Sequence, residues 1–140
     1  MPGRFLPLVL VSVFLAGAEP RAWACRCPTP SPSPAQQYQR ASAVVLASVT
    51  ALEGDVDKEG ATADLSVTRA WKGPVDRRVK VTTRTTCAVP LQVGREYLVF
   101  LFPDASGGYF TSRCTGTAVS NTARRPLSWL EKHGAPAAVH

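Results

Sequence analysis

The sequence predicts an all-β domain with minor helix: a closed or nearly closed antiparallel barrel of five strands with short helices packed outside it. Three observations lead there. Apolar and polar residues alternate with a period of two in several short runs from Ala43 onward, the pattern of strands with one buried face. Gly, Pro and Asp separate these runs, and one run, Tyr97–Phe102, is apolar at every position, as a strand covered on both faces must be. No long helical patterns alternate with the strands, which argues against a parallel sheet with crossover helices.

The chain opens with Arg4, an apolar run from Phe5 to Ala18, and small residues at Ala22-x-Ala24. This is the pattern of a secretory signal peptide over residues 1–24. The run is too short to span a bilayer, Glu19-Pro20-Arg21 interrupts it and no second apolar segment follows, so no transmembrane segment is expected. A lipoprotein also places a cysteine directly after the cut, but lipid attachment normally sits at the end of the apolar run. Cys25 is therefore expected to begin the mature chain with a free amine. The expected location is extracellular, or periplasmic in a Gram-negative host. Residues 25–133 form the expected domain and 134–140 a tail; the 116 residues after the cut amount to one domain.

Pro28 to Pro34 carries a proline at every second position, which cannot build a helix and should run as a stiff extended ribbon. It reads as a spacer rather than as a ligand for Pro-binding domains. Ala35 to Arg40 are good helix formers with Ser33 as a cap. The first strand starts at Ala43, with Val45, Ala47, Val49 and Ala51 on one face. Gly54–Gly60 is charged and glycine-bounded, a loop or hairpin end whose carboxylates lack the spacing of a calcium loop. The second strand runs from Ala63 through Leu65 and Val67; its alternation slips at Arg69, and Ala70 and Trp71 resume out of phase, the mark of a bulge or sharp bend. Lys72-Gly73-Pro74 turns the chain, and Val79 and Val81 give a half-exposed third strand. Tyr97–Phe102 is the central strand, with the barrel interior on one side and a helix or the N-terminal ribbon on the other. Tyr109 to Arg113 is the fifth strand and ends at Cys114, and Asn121 to His133 form a last helix with Pro126 near its start and Gly134 past its end. The OB-type barrel is the simplest architecture of this kind.

All four cysteines, Cys25, Cys27, Cys87 and Cys114, follow the cleavage site. An even count in an exported chain reads as two disulfides. Cys25 and Cys27 leave the same face of an extended segment, so a bond between them is strained, and each should reach forward, one to Cys87 and one to Cys114. Loops of that size are worth about 4 kcal/mol each in a chain-entropy treatment. A zinc knuckle needs reduced thiolates and usually wider spacing, and a redox pair is normally Cys-x-x-Cys beside a helix; both fit an exported, proline-flanked segment poorly.

Cys25-x-Cys27-Pro28, Ala70-Trp71-Lys72-Gly73, the mid-chain Cys87, Val93-Gly94-Arg95-Glu96-Tyr97-Leu98-Val99-Phe100 and Cys114-x-Gly116-Thr117 together resemble the N-terminal inhibitory domain of the tissue inhibitors of metalloproteinases, within the wider netrin-like group. The likeness covers most of the chain after residue 24 and is most specific in cysteine placement. It implies an OB-type barrel bonded Cys25 to Cys87 and Cys27 to Cys114. It also implies that the α-amine and carbonyl of Cys25 chelate the open position of a target protease's catalytic zinc, so the chain needs no cofactor of its own. The residue after Cys25 enters the protease's specificity pocket in that family; here it is Arg26, where inhibitory members carry a smaller residue. A guanidinium stays charged and calls for a pocket with an acidic partner. The third disulfide of the animal domain has no counterpart, nor does its separate C-terminal domain, so the expected likeness is to a short bacterial relative.

Two functions follow as expectations. The first is a secreted, non-enzymatic metalloproteinase inhibitor whose working terminus is Cys25, Arg26, Cys27 and Pro28. The second is a netrin-like binding module for a protein or envelope ligand. An enzyme is disfavoured: His133 and His140 are the only histidines and no nucleophile motif or carboxylate pair stands out. The net charge is +6 over the chain, with 14 basic against 9 acidic side chains after residue 24. Export and the scatter of the arginines argue against nucleic acid as partner, and Tyr97, Phe100, Phe102, Tyr109 and Phe110 read as strand core rather than as base-stacking platforms.

Overall fold

In the computed structural model, residues 25–84 and 86–140 are described; the expected signal peptide therefore lies outside the described residues. The scaffold starts with a long hairpin. Strands β1 (Ala43–Asp55) and β2 (Gly60–Lys72) pair antiparallel. The intervening charged turn is closed by Lys58 N–H donating to Asp55 O (3.1 Å) and Asp57 N–H donating to the Asp55 carboxylate (2.9 Å). Strand β3 (Arg78–Thr83) adds antiparallel to β2, and β4 (Glu96–Pro103) adds antiparallel to the free edge of β1. Strand β5 (Tyr109–Phe110) then closes the ring, antiparallel to β4 and parallel to β3.

The result is an all-β barrel of order β1-β2-β3-β5-β4 closing back on β1, but it is mixed rather than purely antiparallel. The reason is parity. Around a closed ring of five strands, directions cannot alternate throughout, so at least one neighbouring pair must run parallel; here it is one of the two short contacts that β5 makes, Val81 with Tyr109 and Thr82 with Phe110.

The fifth strand is also shorter than Tyr109–Arg113. The Ser112 hydroxyl accepts from Cys114 N–H (3.1 Å), and residues Arg113–Thr115 turn into a 3-10 segment ending at Gly116. A sixth strand that alternation does not announce, β6 (Ala118–Val119), pairs with Tyr97 and Leu98 on the same edge of β4 that carries β5 further along. Between β5 and β6 that edge has no strand at Phe100, and two buried threonines fill the gap. Phe100 N–H donates to Thr117 Oγ1 (2.9 Å), Thr111 Oγ1 donates to Phe100 O (2.9 Å), and the two hydroxyls bond each other. The backbone of the central strand is thereby paired without a neighbour.

The core has two parts, divided by β4 as a strand apolar at every position requires. Tyr97, Val99 and Leu101 face the barrel interior with Val45, Val49, Leu65, Val81, Val89 and Leu91. Leu98 and Phe100 face outward against Val44, Trp71, Ala123 and Leu130. The phase slip in β2 is a bulge: Leu46 pairs with Arg69 and Ala47 with Val67, leaving Thr68 as an extra residue. A second irregularity, between the Val45–Ala70 and Val44–Lys72 pairs, turns Trp71 to the outer cluster while Ala70 stays inside. Burying a side chain of Trp, Leu or Phe size contributes about 1.5–3 kcal/mol each, so the bulge serves both layers at once.

Two helices cover the outer cluster. Helix α1 (Pro34–Arg40) has Ser33 as its cap, with Gln36 reciprocating in a capping box, and Tyr38 Oη donates to Trp71 O (2.9 Å). Helix α2 (Arg124–His133) starts after a 3-10 turn, Ser120–Thr122, and buries Leu130. The segment 134–140, expected as a tail, lies along the end of β2 and the residues after it: Ala137 N–H donates to Ala70 O (3.0 Å) and His140 N–H to Val75 O (3.1 Å). Among the described residues no helix is long and apolar enough to cross a membrane.

Candidate functional site

The segment Cys25–Pro28 has no regular structure of its own and is placed by covalent bonds. Cys25 is bonded to Cys87 and Cys27 to Cys114, with Cα–Cα distances of 4.8 and 5.2 Å. Sequence spacing left open which cysteine reached which partner, and the pairing is the one that the family resemblance implies. Because Cys25 and Cys27 leave the same face, their partners must lie side by side. The barrel arranges this by bringing the loop after β3 against the turn after β5.

That junction is held by hydrogen bonds as well as by sulfur. Arg113 N–H donates to Cys87 O (2.9 Å) and Arg113 Nε donates to Ala88 O (2.9 Å), so one residue ties the Cys87 loop to the Cys114 turn. Ala88, Val89 and Leu91 are buried, and Val89 N–H donates to the fully buried hydroxyl of Thr83 (2.8 Å), which plugs the loop into the barrel. On the other side Ser112 caps Cys114. Sequence reasoning placed Arg113 at the end of a strand and did not single out Ser112. The legible signal was Ser112 followed three residues later by Thr115, whose side chain returns the bond to Ser112 N–H (3.3 Å).

All four sulfurs fall together. Cys25 Sγ is 4.0 Å from Cys27 Sγ and 3.9 Å from Cys114 Sγ, and the four Sγ atoms lie within 4.8 Å of one another. The cysteines are half-buried, while Arg26 and Pro28 on either side of Cys27 are exposed. Among the described residues Arg26 makes no hydrogen bond or ion pair, so its guanidinium is available to a partner. From Pro28 the ribbon continues through a cis Thr29-Pro30 peptide to α1. Helix α1 sits close over the 3-10 turn: a Cβ built on Gly116 would come within 2.7 Å of the Gln37 side chain.

Beside the Cys114 turn an open groove is lined by Thr82, Arg84, Asp104, Phe110 and Ser112. Phe110 is 39% exposed there, whereas Tyr97 and Phe100 are fully buried and Phe102 and Tyr109 half-buried, so four of the five aromatics read as strand core lie in or against it. The Asp104 carboxyl is held below the usual carboxylate range chiefly by the Ser106 hydroxyl, with the amides of Ser106 and Gly108 adding to it. That makes it a turn-forming group. His133 stacks on Trp129 within α2 at 4.9 Å, and the backbone of His140 bonds to Val75 and Arg77. The site offers a peptide segment fastened by two disulfides, with one exposed cation between them. In comparisons with known proteins, the chain matches no protein-family model and no curated protein.

Proposed function

We propose that the protein is a secreted, non-enzymatic inhibitor of zinc metalloproteinases that works through its processed N-terminus. With Cys25 as first residue, its α-amine nitrogen and carbonyl oxygen form a five-membered chelate on the position that a catalytic zinc keeps open for water. The amine is neutral in a useful fraction near neutral pH, and Arg26 enters the adjoining specificity pocket. The fitting targets are proteases whose pocket carries an acidic residue, because a guanidinium there makes a charge-assisted pair, whereas in an apolar pocket its desolvation opposes binding.

One observation carries the reading: both cysteines flanking the exposed Arg26 are bonded to adjacent loops of the barrel. A chain end normally frays, and a frayed end loses ordering entropy on entering a cleft. An end pinned at two residues out of three has already lost most of it, which favours binding. The motif resemblance, which rests mainly on the placement of the same cysteines, supports the same reading.

The test uses a panel of zinc proteases, one of them with an acidic pocket, and three forms of the secreted protein. The native protein is expected to inhibit the acidic-pocket enzyme. One alanine added ahead of Cys25 moves the amine off the metal and should abolish inhibition with the barrel intact. Arg26→Thr should weaken inhibition of the acidic-pocket enzyme and improve it toward apolar pockets. If neither the native protein nor Arg26→Thr inhibits any member, chelation is wrong, and a netrin-like binding module for an extracellular or envelope ligand takes its place.

A further inference from the structure

We propose that the four cysteines form a tetrathiolate zinc site in the reduced chain, so that zinc binding and disulfide formation are alternative ways of fastening the same segment. This zinc is bound by the protein's own sulfurs. The site is distinct from the chelate on a protease metal, which uses backbone atoms of the oxidised chain.

The argument starts from distances. Zinc bonded tetrahedrally to four thiolates at about 2.3 Å requires sulfurs about 3.8 Å apart. The contacts from Cys25 Sγ to Cys27 Sγ (4.0 Å) and to Cys114 Sγ (3.9 Å) already have that separation, and no Sγ pair exceeds 4.8 Å. The two bonded pairs must open by under about 2 Å each, and the remaining pairs, within 4.8 Å, close by no more than about 1 Å, movements that cysteine side-chain rotation provides. The narrow Cys-x-Cys spacing that argued against a zinc knuckle is therefore no obstacle, because two ligands come from elsewhere in the fold.

Half of the site persists without disulfides. Arg113 holds Cys87 and Cys114 together through its bonds to Cys87 O and Ala88 O, and Ser112 caps Cys114. The other half, Cys25 and Cys27, is tethered a few residues from α1, which packs over Gly116. Arg113 beside Cys114 and Arg26 between the two N-terminal cysteines supply positive charge next to a centre whose net charge is negative, and cations nearby also favour thiolates.

The chemistry balances with a dithiol as reductant. Two dithiol molecules deliver four electrons and four protons to the two disulfides, leaving four protein thiols and two oxidised dithiols. Zinc then displaces the four thiol protons to solvent. In the reverse direction two oxidised dithiol molecules take four electrons from the four thiolates and four protons from solvent; the two protein disulfides re-form and zinc, its thiolate ligands gone, is released.

The test is a cobalt titration of the purified protein, reduced with a phosphine under anaerobic conditions. One equivalent of Co²⁺ should saturate a tetrahedral spectrum with thiolate-to-metal charge-transfer bands, zinc should bleach it, and far-UV circular dichroism of the zinc form should match the oxidised barrel. Cys27→Ser and Cys114→Ser should each change the spectrum to a three-sulfur pattern and weaken binding by at least about 100-fold, since even outer-shell losses cost 10–100-fold. Oxidised protein should show no tetrathiolate spectrum. Lack of one-to-one saturation overturns the proposal whether or not the reduced chain is folded, because binding to such a site is itself a driving force for folding. So does a four-sulfur spectrum that survives in Cys27→Ser, or metal bound by a chain without the barrel's spectrum.

Discussion

Replacing Cys25 and Cys87 together by serine removes one staple and leaves no unpaired thiol, and the cost follows from how the two staples share an anchor. Alone, a bond across 62 residues or 87 residues lowers the entropy of the unfolded chain by an amount worth about 4.3 or about 4.6 kcal/mol at 25 °C. They do not act alone. With Cys27–Cys114 intact, the unfolded chain can travel from Cys25 to Cys87 by a short route, two residues from Cys25 to Cys27 and 27 from Cys114 back to Cys87. Closing that ring of about 29 residues is worth about 3.6 kcal/mol. The same ring governs the other staple, so Cys27→Ser with Cys114→Ser should cost the same, and removing all four cysteines should cost about 8 kcal/mol. Urea unfolding of the oxidised proteins is the assay; at a slope of about 1.5–2 kcal/mol/M, each pair removed moves the midpoint down by roughly 2 M. A midpoint that hardly moves, or a four-cysteine variant no weaker than a two-cysteine one, refutes the shared-ring reasoning.

Three further outcomes follow from the structure. Thr117→Val keeps the side-chain shape but leaves the buried Phe100 N–H without an acceptor, so urea melts should show a loss of about 1–3 kcal/mol; an unchanged midpoint removes the threonine pair from the account of the β4 edge. Gly116 has φ of +98° and lies against the end of the Gln37 side chain. Gly116→Ala should therefore cost about 1–2 kcal/mol through its backbone, and the added Gln37→Ala change should recover little, because the flexible Gln37 end can move aside; full recovery would make crowding the cause. The Ser106 hydroxyl, ahead of the Ser106 and Gly108 amides, keeps Asp104 charged in the folded chain. Its contribution to the turn is present above the unfolded carboxylate pKa and is lost as pH falls through the lower folded value. In NMR titrations the Ser106 and Gly108 amides should shift together with a midpoint below that of Asp104 in an unfolded peptide, and a midpoint at or above it contradicts the bonding.

Local pattern carried much of this architecture. Alternation from Ala43, the slip at Arg69 and the unbroken apolar run Tyr97–Phe102 are consequences of which faces of a strand meet water, and that is a property of neighbouring residues. They located the two long strands, the bulge that sends Ala70 and Trp71 to different layers, and a central strand buried on both sides. Ser33 likewise announces the start of α1, because a helix cap is a contact between residues no more than about three apart along the chain. The short pieces β5 and β6 were not legible in this way. Two residues are too few to show a period, and their position is decided by which part of the β4 edge remains open.

By itself, then, the sequence determined an all-β barrel with minor helix, its principal strands, and the fact that Cys25 and Cys27 must each reach forward to a distant cysteine. Only the tertiary structure decided how the ring closes and who meets whom. Strand alternation says nothing about direction around a ring, whereas closure of five strands forces the parallel β3–β5 contact. Spacing along the chain is equally silent about distance across it. The loop after β3 and the turn after β5 become neighbours only when the barrel closes and Arg113 joins them, and that closure brings four sulfurs, spread over 90 residues of sequence from Cys25 to Cys114, within 4.8 Å of one another.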